Sequence, residues 1–498
     1  MTERDLIKTR ILTDTLFATS YFFKKRYSRR FVIGEHHKKI AEALNRVLRG
    51  ETKRLIINIP PRYGKTEIAV KNFVSAGIAL NPESLFIILS YSDDLALDNS
   101  EDIKDLVQET FYKELFPYVE IKKDSRSKKK WYTTQGGGVY ATSTRGQITG
   151  FGAGIFNDDE EKELEDALNE LEIKNSEQRE YLFGGALIID DPQKPEDAQS
   201  TLERDKVNLR FETTIRSRLN SRNTPIIIIM QRLHPNDLCG YLMELEPEDW
   251  EVLSLPAITI DEDGSERALW EFKQTLAELK KIERAQKYVF RGQYMQDPVD
   301  LSGEKLWLFS FNKDKHTGAV EWNAEETTYL SFDFNRNPLV CSVWQHYDGV
   351  IRGIEVIEIE NATIKSMCVE IESKYKGAIF MVTGDVSGKT LTTVSNLDNF
   401  QIIKNHFNLS RNQMQYSGSN PRLSDSRYFV NSIFEEYPII LDKEKCSPLI
   451  FDCENVKSGV DNTIIKETRK KAEQRADSLD TMRYFLHRFC KDVLFFTN

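Results

Sequence analysis

The chain of 498 residues has a net charge of −10, and 40% of its residues are hydrophobic. That length suits two or more domains of roughly 150 residues each, and that apolar content excludes a disordered or low-complexity chain. The six cysteines, Cys239, Cys341, Cys368, Cys446, Cys453 and Cys490, form no C-x-x-C pair, which argues against a disulfide framework or a zinc module and fits a reducing compartment. The opening "MTERDLIKTR" has no signal-peptide core. The longest aliphatic runs, such as "PIIIIM", are strand-sized and far short of a membrane span. Net acidity does not exclude a nucleic-acid partner, because local patches decide such binding. One basic run, "IKKDSRSKKKW" (121–131), could touch a phosphate backbone or form a solvated loop.

In chain order, "EHHKKIAEALNRVL" (35–48) reads as a helix and "RLIINI" (54–59) as a short buried strand, apolar and β-branched. The loop after it, Pro60-Pro61-Arg62-Tyr63-Gly64-Lys65-Thr66, ends like a phosphate-binding loop. The first glycine of the usual G-x-x-x-x-G-K-[ST] pattern is replaced by Ile59. The physics still favours the site. A strand, a tight turn and then the helix "TEIAVKNFVSAGIAL" present free backbone N–H groups and a positive dipole end to phosphate. Lys65 is expected to reach the β- and γ-phosphates of ATP, and the Thr66 hydroxyl to ligate Mg²⁺. Pro60 and Pro61 stiffen the loop entrance through their fixed φ. Arg62 adds a cation beside the γ-phosphate, so Pro61 to Thr66 as a whole form the expected nucleotide contact. The alternative is a plain strand–turn–helix.

"SLFIILSYS", "GGVYATST", "GALIIDD" and "TPIIIIMQR" read as further strands, with a helix over "DDLALDNSEDIKDLVQETF" opened by aspartates. This alternation predicts a mostly parallel α/β sheet. Asp190 and Asp191 end the third of these strands. Asp190 is expected to hold Mg²⁺ and Asp191 to orient the attacking water, whereas a bare Asp-Asp-Pro turn would need neither role. Gln231 and Arg232, at the exit of the last strand, lie where a γ-phosphate sensor or coupling element would stand. Before the Asp190 strand, "NDDEEKELEDALNELEIKNSEQREYL" from Asn157 is nearly all charge and helix formers and reads as an exposed helix.

The pattern becomes irregular over 246–326, a linker or bridging region with one helix, "QTLAELKKIERAQKYVFRGQYMQ". A second α/β unit covers 327–498. It has strands at "TTYLSFDFN", "LVCSVWQHY" and "VIRGIEVIEIE", a helix at "TIKSMCVEIESKY", a strand at "AIFMVTGD" and a last helix, "IIKETRKKAEQRADSLDTMRYFLHRFC". This order is RNase H-like. Asp333 lies mid-strand, Asp385 ends a strand, and Asp480 sits on the last helix with Asp477 one turn earlier on the same face. Acids placed there cost free energy unless paired or metal-bound. Asp333, Asp385 and Asp480 could hold two Mg²⁺ or Mn²⁺ ions about 4 Å apart for in-line phosphodiester hydrolysis.

Taken together these segments resemble the large terminase subunit of tailed bacteriophages. "INIPPRYGKTE" resembles that family's variant Walker A, and "ALIIDDP" its Walker B. "ILSYSDDLALDNS", "GGVYATSTRGQITGFGAG", "IIIIMQRLHPNDLCGYL" and "FRGQYMQDPV" are similar to the segments that surround them. "SFDFN", "TGDVSG" and "DTMRY" are similar to its three nuclease acid sites, and the order is the family's order. The resemblance implies an ATPase motor at 1–245, with an acidic insertion at about 155–183, and an RNase H-like endonuclease at 327–498. It implies that Arg62 acts as an arginine finger and that the His36/His37 helix lies near adenine. It implies packaging of double-stranded DNA in the host cytoplasm, outside the mature virion and away from any membrane. The implied partners are a portal protein, a small terminase subunit and other copies in a ring, often of five. The D-x-x-R-Y spacing favours Asp480 over Asp477.

Two other readings compete. One is a P-loop helicase or translocase with a degenerate second domain, and the other an ATP-binding scaffold without turnover. Asp333, Asp385 and Asp480 argue against the first. Lys65 with Asp190 and Asp191 argues against the second.

Overall fold

The apolar runs of the first half assemble into one seven-stranded sheet. Its strands are β1 (Arg54–Asn58), β2 (Leu85–Ser90), β3 (Lys130–Tyr132), β4 (Gly138–Ser143), β5 (Leu187–Asp190), β6 (Ile226–Met230) and β7 (Glu251–Ser254). Their spatial order is β3-β4-β2-β5-β6-β1-β7. Every pairing is parallel except the edge pair β3–β4, so the sheet is mostly parallel, as the alternation of elements predicts. Residues of β5 and β6 are buried throughout, which is why they read as continuous Ile runs rather than alternating ones. The computed structural model describes all residues except 1, 126, 149, 156–182, 301–304, 336, 390–396, 417, 466–474 and 496–498.

The chain divides into two compact units, Met1–Leu279 with Arg291–Val299, and Lys280–Phe290 with Asp300–Asn498. The 246–326 stretch is therefore shared between them. Its strand β7 completes the first sheet beside β1, and β8 (Ile258–Ile260) pairs with β9 (Glu266–Ala268) as a separate antiparallel hairpin of the first unit. The acidic insertion expected over 155–183 lies outside the described residues except at its ends. There Phe183 is buried and packs edge-on against Phe73.

In the first unit the helix Glu35–Leu48 buries His36, His37, Ile40, Ala41, Leu44, Val47 and Leu48, the one-sided stripe of an amphipathic helix. Two helices precede it, Glu3–Thr13 and Thr15–Tyr27. The first opens with a reciprocal Thr2/Asp5 capping box and the second with Asp14 accepting from Leu16 and Phe17, both recognisable start signals. After the phosphate-loop segment the helix runs as π-helix over Glu67–Asn72 before becoming α-helix over Phe73–Leu80.

The second unit has a six-stranded sheet in the order β10-β15-β13-β12-β11-β14, with β10 (Thr317–Gly318), β11 (Thr328–Asp333), β12 (Leu339–Tyr347), β13 (Val350–Ile359), β14 (Phe380–Gly384) and β15 (Ile439–Asp442). β11, β12 and β13 form an antiparallel meander. β14 adds parallel to β11, and β15 parallel to β13. Of the last helix, expected from Ile464, residues 466–474 lie outside the described residues, and Asp477–Phe489 is helical. The expected start at Ile464 fails because Ile464 forms a β-bridge with Ser458 and Ala476, with φ of 55°, turns the chain left-handed just before the helix. Met482, Phe485 and Leu486 of this helix enter a core with Trp344, Ile351 and Ile433. Among the described residues no helix is long and apolar enough to cross a membrane.

Candidate functional site

In the first unit the chemistry gathers where β1, β5 and β6 end. The three strands are parallel neighbours, β5–β6–β1, so their C-terminal ends deliver the phosphate loop, Asp190–Asp191 and Gln231 to one edge. This is where open α/β sheets bind ligands. Lys65 is buried, and its Nζ donates to Asp191 Oδ1 at 2.5 Å and lies 3.5 Å from Gln231 Oε1. The Thr66 hydroxyl donates to Asp190 Oδ2 at 2.7 Å. Asp190 is buried, its Oδ1 has no hydrogen-bond partner, and burial followed by the neighbouring Asp191 pushes its carboxyl up to about 6. A buried, under-coordinated carboxylate oxygen beside a hydroxyl is a hard-donor pair that fits Mg²⁺.

The loop itself is held in a shape that sequence pattern alone does not give. Arg62 has φ of 66° and Gly64 φ of 80°, so two left-handed residues make the bend that the missing first glycine would otherwise serve. Pro61 is half-buried and Arg62 is exposed. Tyr63 is fully buried, its hydroxyl 3.3 Å from Gln274 Oε1 and its ring 5.7 Å from His36 and 5.9 Å from Trp270.

Gln231 and Arg232, expected together, diverge. Gln231 faces Lys65. Arg232 turns to Asp237, both of whose carboxylate oxygens lie 3.0 Å from its Nε. Asp237 is fully buried and also accepts from the backbone of Leu233, His234 and Gly240. Gln296, at φ of 59°, closes the group by accepting from the Arg232 backbone N–H. The guanidinium is thus a strut of the strand exit.

In the second unit the parallel register pairs Phe332 of β11 with Gly384 of β14, which brings Asp333 and Asp385 to adjacent strand ends. Asp333 is buried and its Oδ2 accepts from Asn335 Nδ2 at 2.7 Å. The same amide nitrogen lies 3.2 Å from Asp477 Oδ1. Asp385 Oδ1 accepts from the Ser387 N–H at 2.7 Å and from Asn420 Nδ2 at 3.0 Å. The last helix is fixed over β11 by the Ser331 hydroxyl, which donates to the Thr481 carbonyl at 2.7 Å. Asp480, on that helix, is buried and its Oδ1 accepts from Arg483 Nε and Nη2 at 3.1 and 2.9 Å.

The three expected acids therefore face one neighbourhood. Tyr484 senses all of them, because burial first, then Asp480, Asp385 and Asp333, push its hydroxyl well above its ordinary range. They do not converge as a cage, since among the described residues no three His, Cys, Asp or Glu side chains group as metal ligands. Their oxygen-only chemistry suits Mg²⁺ or Mn²⁺. Of the two helix acids, Asp477 shares an amide with Asp333, and Asp480 is taken by Arg483. Sequence reasoning missed Asn335, Asn420, Arg483 and Tyr484. The Arg-Tyr of "DTMRY" was the available signal for two of them.

No family model matches the chain, and no curated protein does. Solved structures do. A large terminase from a thermophilic bacteriophage aligns with a TM-score of 0.46 at 14% identity over 92% of this chain and 99% of that one. The large terminase of bacteriophage HK97 aligns at 0.35 and 11% identity over 94% and 98%. The large terminase nuclease domain of bacteriophage SPP1 with bound Mn aligns at 0.23 and 15% identity over 32% and 84%. The first two of these solved chains, to which this chain is similar over most of its length, are large terminases of bacteriophages.

Proposed function

We propose that the chain is a viral genome-packaging terminase large subunit. In this reading ATP hydrolysis in the first unit drives double-stranded DNA into a capsid through a portal. The second unit is a two-metal endonuclease that cuts concatemeric DNA when packaging starts and ends. One observation carries the reading. A single chain holds a P-loop centre, with Lys65 on Asp191 and Thr66 on Asp190, and an acid centre at the paired ends of β11 and β14. The motif order along the sequence supports it.

Lys65 meets the β- and γ-phosphates when ATP binds and exchanges the Asp191 carboxylate for them. Asp191, released, orients the attacking water. Asp190 with Thr66 would hold Mg²⁺, which supplies charge neutralisation at the phosphates. Gln231, already beside Lys65, senses the γ-phosphate, and exposed Arg62 reaches it as an arginine finger. In the second unit Asp333, Asp385 and Asp480 would hold divalent ions that activate water and stabilise the leaving oxygen. Asn335, Asn420 and Arg483 keep these carboxylates oriented. The partners are double-stranded DNA, the portal, a small terminase subunit and further copies in a ring, in the host cytoplasm.

The test is plasmid digestion by the full chain with Mg²⁺ or Mn²⁺, beside the Asp385→Ala protein, with ATP hydrolysis measured in both. The expected result is cutting by the unaltered protein alone and equal ATP turnover. Inert protein that still hydrolyses ATP and unwinds a forked duplex would replace this reading by a helicase or translocase with a degenerate second domain.

A further inference from the structure

The Tyr63 carbonyl is held by two histidines. His36 Nε2 lies 3.2 Å from it and His37 Nε2 3.1 Å. A carbonyl only accepts, so both Nε2 atoms carry protons. The Gly34 backbone N–H donates to His37 Nδ1 at 2.9 Å, which fixes the His37 tautomer from its other side. Both rings are fully buried, 3.8 Å apart between centroids, and backed by Trp270 at 5.2 and 4.9 Å. Burial keeps both neutral, pushing His36 down to about 4 and His37 down to about 3.

A trans peptide points its C=O and N–H in opposite directions. Because the Tyr63 carbonyl faces the histidines, the Gly64 N–H faces away from them. Among the described residues no group accepts from that N–H. The histidine edge also sits against the Gly64 Cα, where an added Cβ would stand 2.6 Å from His37 Nε2. The peptide is thus gripped at its oxygen and at its α-carbon.

We infer that His36 and His37 are positioning residues that hold the Tyr63–Gly64 peptide in the one orientation in which the Gly64 N–H serves as a phosphate donor. They replace the conformational control that the absent first loop glycine would provide. The inference rests on the ATPase reading of the loop. It assigns the pair a role toward the polyphosphate, transmitted through the backbone.

The experiment measures binding of ADP and of AMP to the full chain, unaltered and as His37→Leu, His37→Gln, His36→Leu and Lys65→Ala, with folding followed by circular dichroism. The expected result is that each leucine variant weakens ADP binding about tenfold, the equivalent of one hydrogen bond to a charged group, and leaves AMP binding unchanged. His37→Gln, which keeps an N–H donor, should recover most of the ADP affinity. A role in overall packing alone would weaken both nucleotides together and would not be rescued by glutamine. That pattern, or undiminished ADP affinity in folded His36→Leu and His37→Leu, overturns the inference. If the unaltered protein binds ADP no better than Lys65→Ala does, the ATPase reading itself fails and takes the inference with it. If His37→Leu does not fold, His36→Leu and His37→Gln decide the matter by the same comparison.

Discussion

The two polar centres are built on opposite principles. In the first unit the groups proposed to meet phosphate are already in contact with one another, Lys65 with Asp191 and Thr66 with Asp190. Cation, hydroxyl and carboxylate attract, so such a centre assembles from the protein alone. In the second unit the groups are carboxylates, which repel when brought together in a low-dielectric site. Each is therefore held by its own neutral or cationic donor: Asp333 by Asn335, Asp385 by Asn420 and Asp480 by Arg483. A mixed-charge site can be preorganised without its ligand, and an all-acid site is stable only with its members tethered separately. Damage should consequently spread differently in the two units.

The largest expected effect is in the acid centre. Asp333→Ala or Asp480→Ala should reduce plasmid cutting to the background of the assay and leave ATP hydrolysis unchanged. Undiminished cutting by either removes that acid from the site. Asp477→Asn is expected to lower cutting only about tenfold, as for a residue that orients a ligand through a shared amide. A complete loss with Asp477→Asn and a mild one with Asp480→Asn would exchange their roles. In the first unit Lys65→Ala should lower ATP turnover by about 10²–10³-fold, the scale of one lost transition-state donor, with metal-dependent cutting retained. Loss of both activities in a folded Lys65→Ala protein would mean that the two centres do not work separately.

Gly64→Ala sharpens the contrast at smaller scale. The residue would need a left-handed φ, costing about 1–2 kcal/mol, and its Cβ would meet His37. ADP binding should fall together with the thermal midpoint, whereas the leucine variants of the histidines should change ADP binding more than stability. A fully stable, nucleotide-competent Gly64→Ala protein would show that the loop does not need the observed conformation.

Legibility in the sequence followed the same division. The strand–loop–helix of the first unit was readable because apolar runs, a Gly-Lys-Thr turn and a strand-end Asp pair are local signals. The parallel sheet followed from their alternation. The acids of the second unit were nameable because an aspartate inside an apolar run is costly without a purpose, although the strand ends at Asp333 and does not run past it. What held them was not readable. Asn335 is a neighbour, but Asn420 reaches Asp385 from far along the chain, and no spacing rule connects them. The same holds for β15, whose Ile439, Ile440 and Leu441 pair with β13 only through tertiary context. The two N-terminal helices were a different kind of miss. Their caps, Thr2/Asp5 and Asp14, were present in a stretch read only for a signal peptide. The late start of the last helix had no signal, since Ala476 is a good helix former placed in a left-handed conformation. The histidine pair was visible as sequence, but its target was a backbone carbonyl, which no pattern displays.

The smallest expected effect is on the acid stability of the first unit. His36 and His37 titrate near 6.5 when unfolded and at about 4 and about 3 when folded. The unfolded chain then binds more protons between those values, so this contribution to stability is complete above pH 6.5 and drains as pH falls toward 4. Asp190 works the other way, since its folded carboxyl at about 6 lies above the ordinary 3.8, and acidification through pH 6 removes a penalty. Two histidines against one carboxyl should leave the first unit less stable at pH 5 than at pH 7. In the second unit burial lifts Asp452 to about 7, depresses His487 to about 4 and also holds His316 and His346 below their ordinary range, so groups of both signs act there too. Hydrogen exchange read separately on the two units at pH 5 and pH 7, corrected for the intrinsic rate, should show the first unit opening more at the lower pH. His37→Gln should remove more than half of that difference, because His36 alone is then left against the opposing contribution of Asp190. An undiminished difference in folded His37→Gln would mean that the neutral histidine grip does not dominate the pH dependence of the first unit.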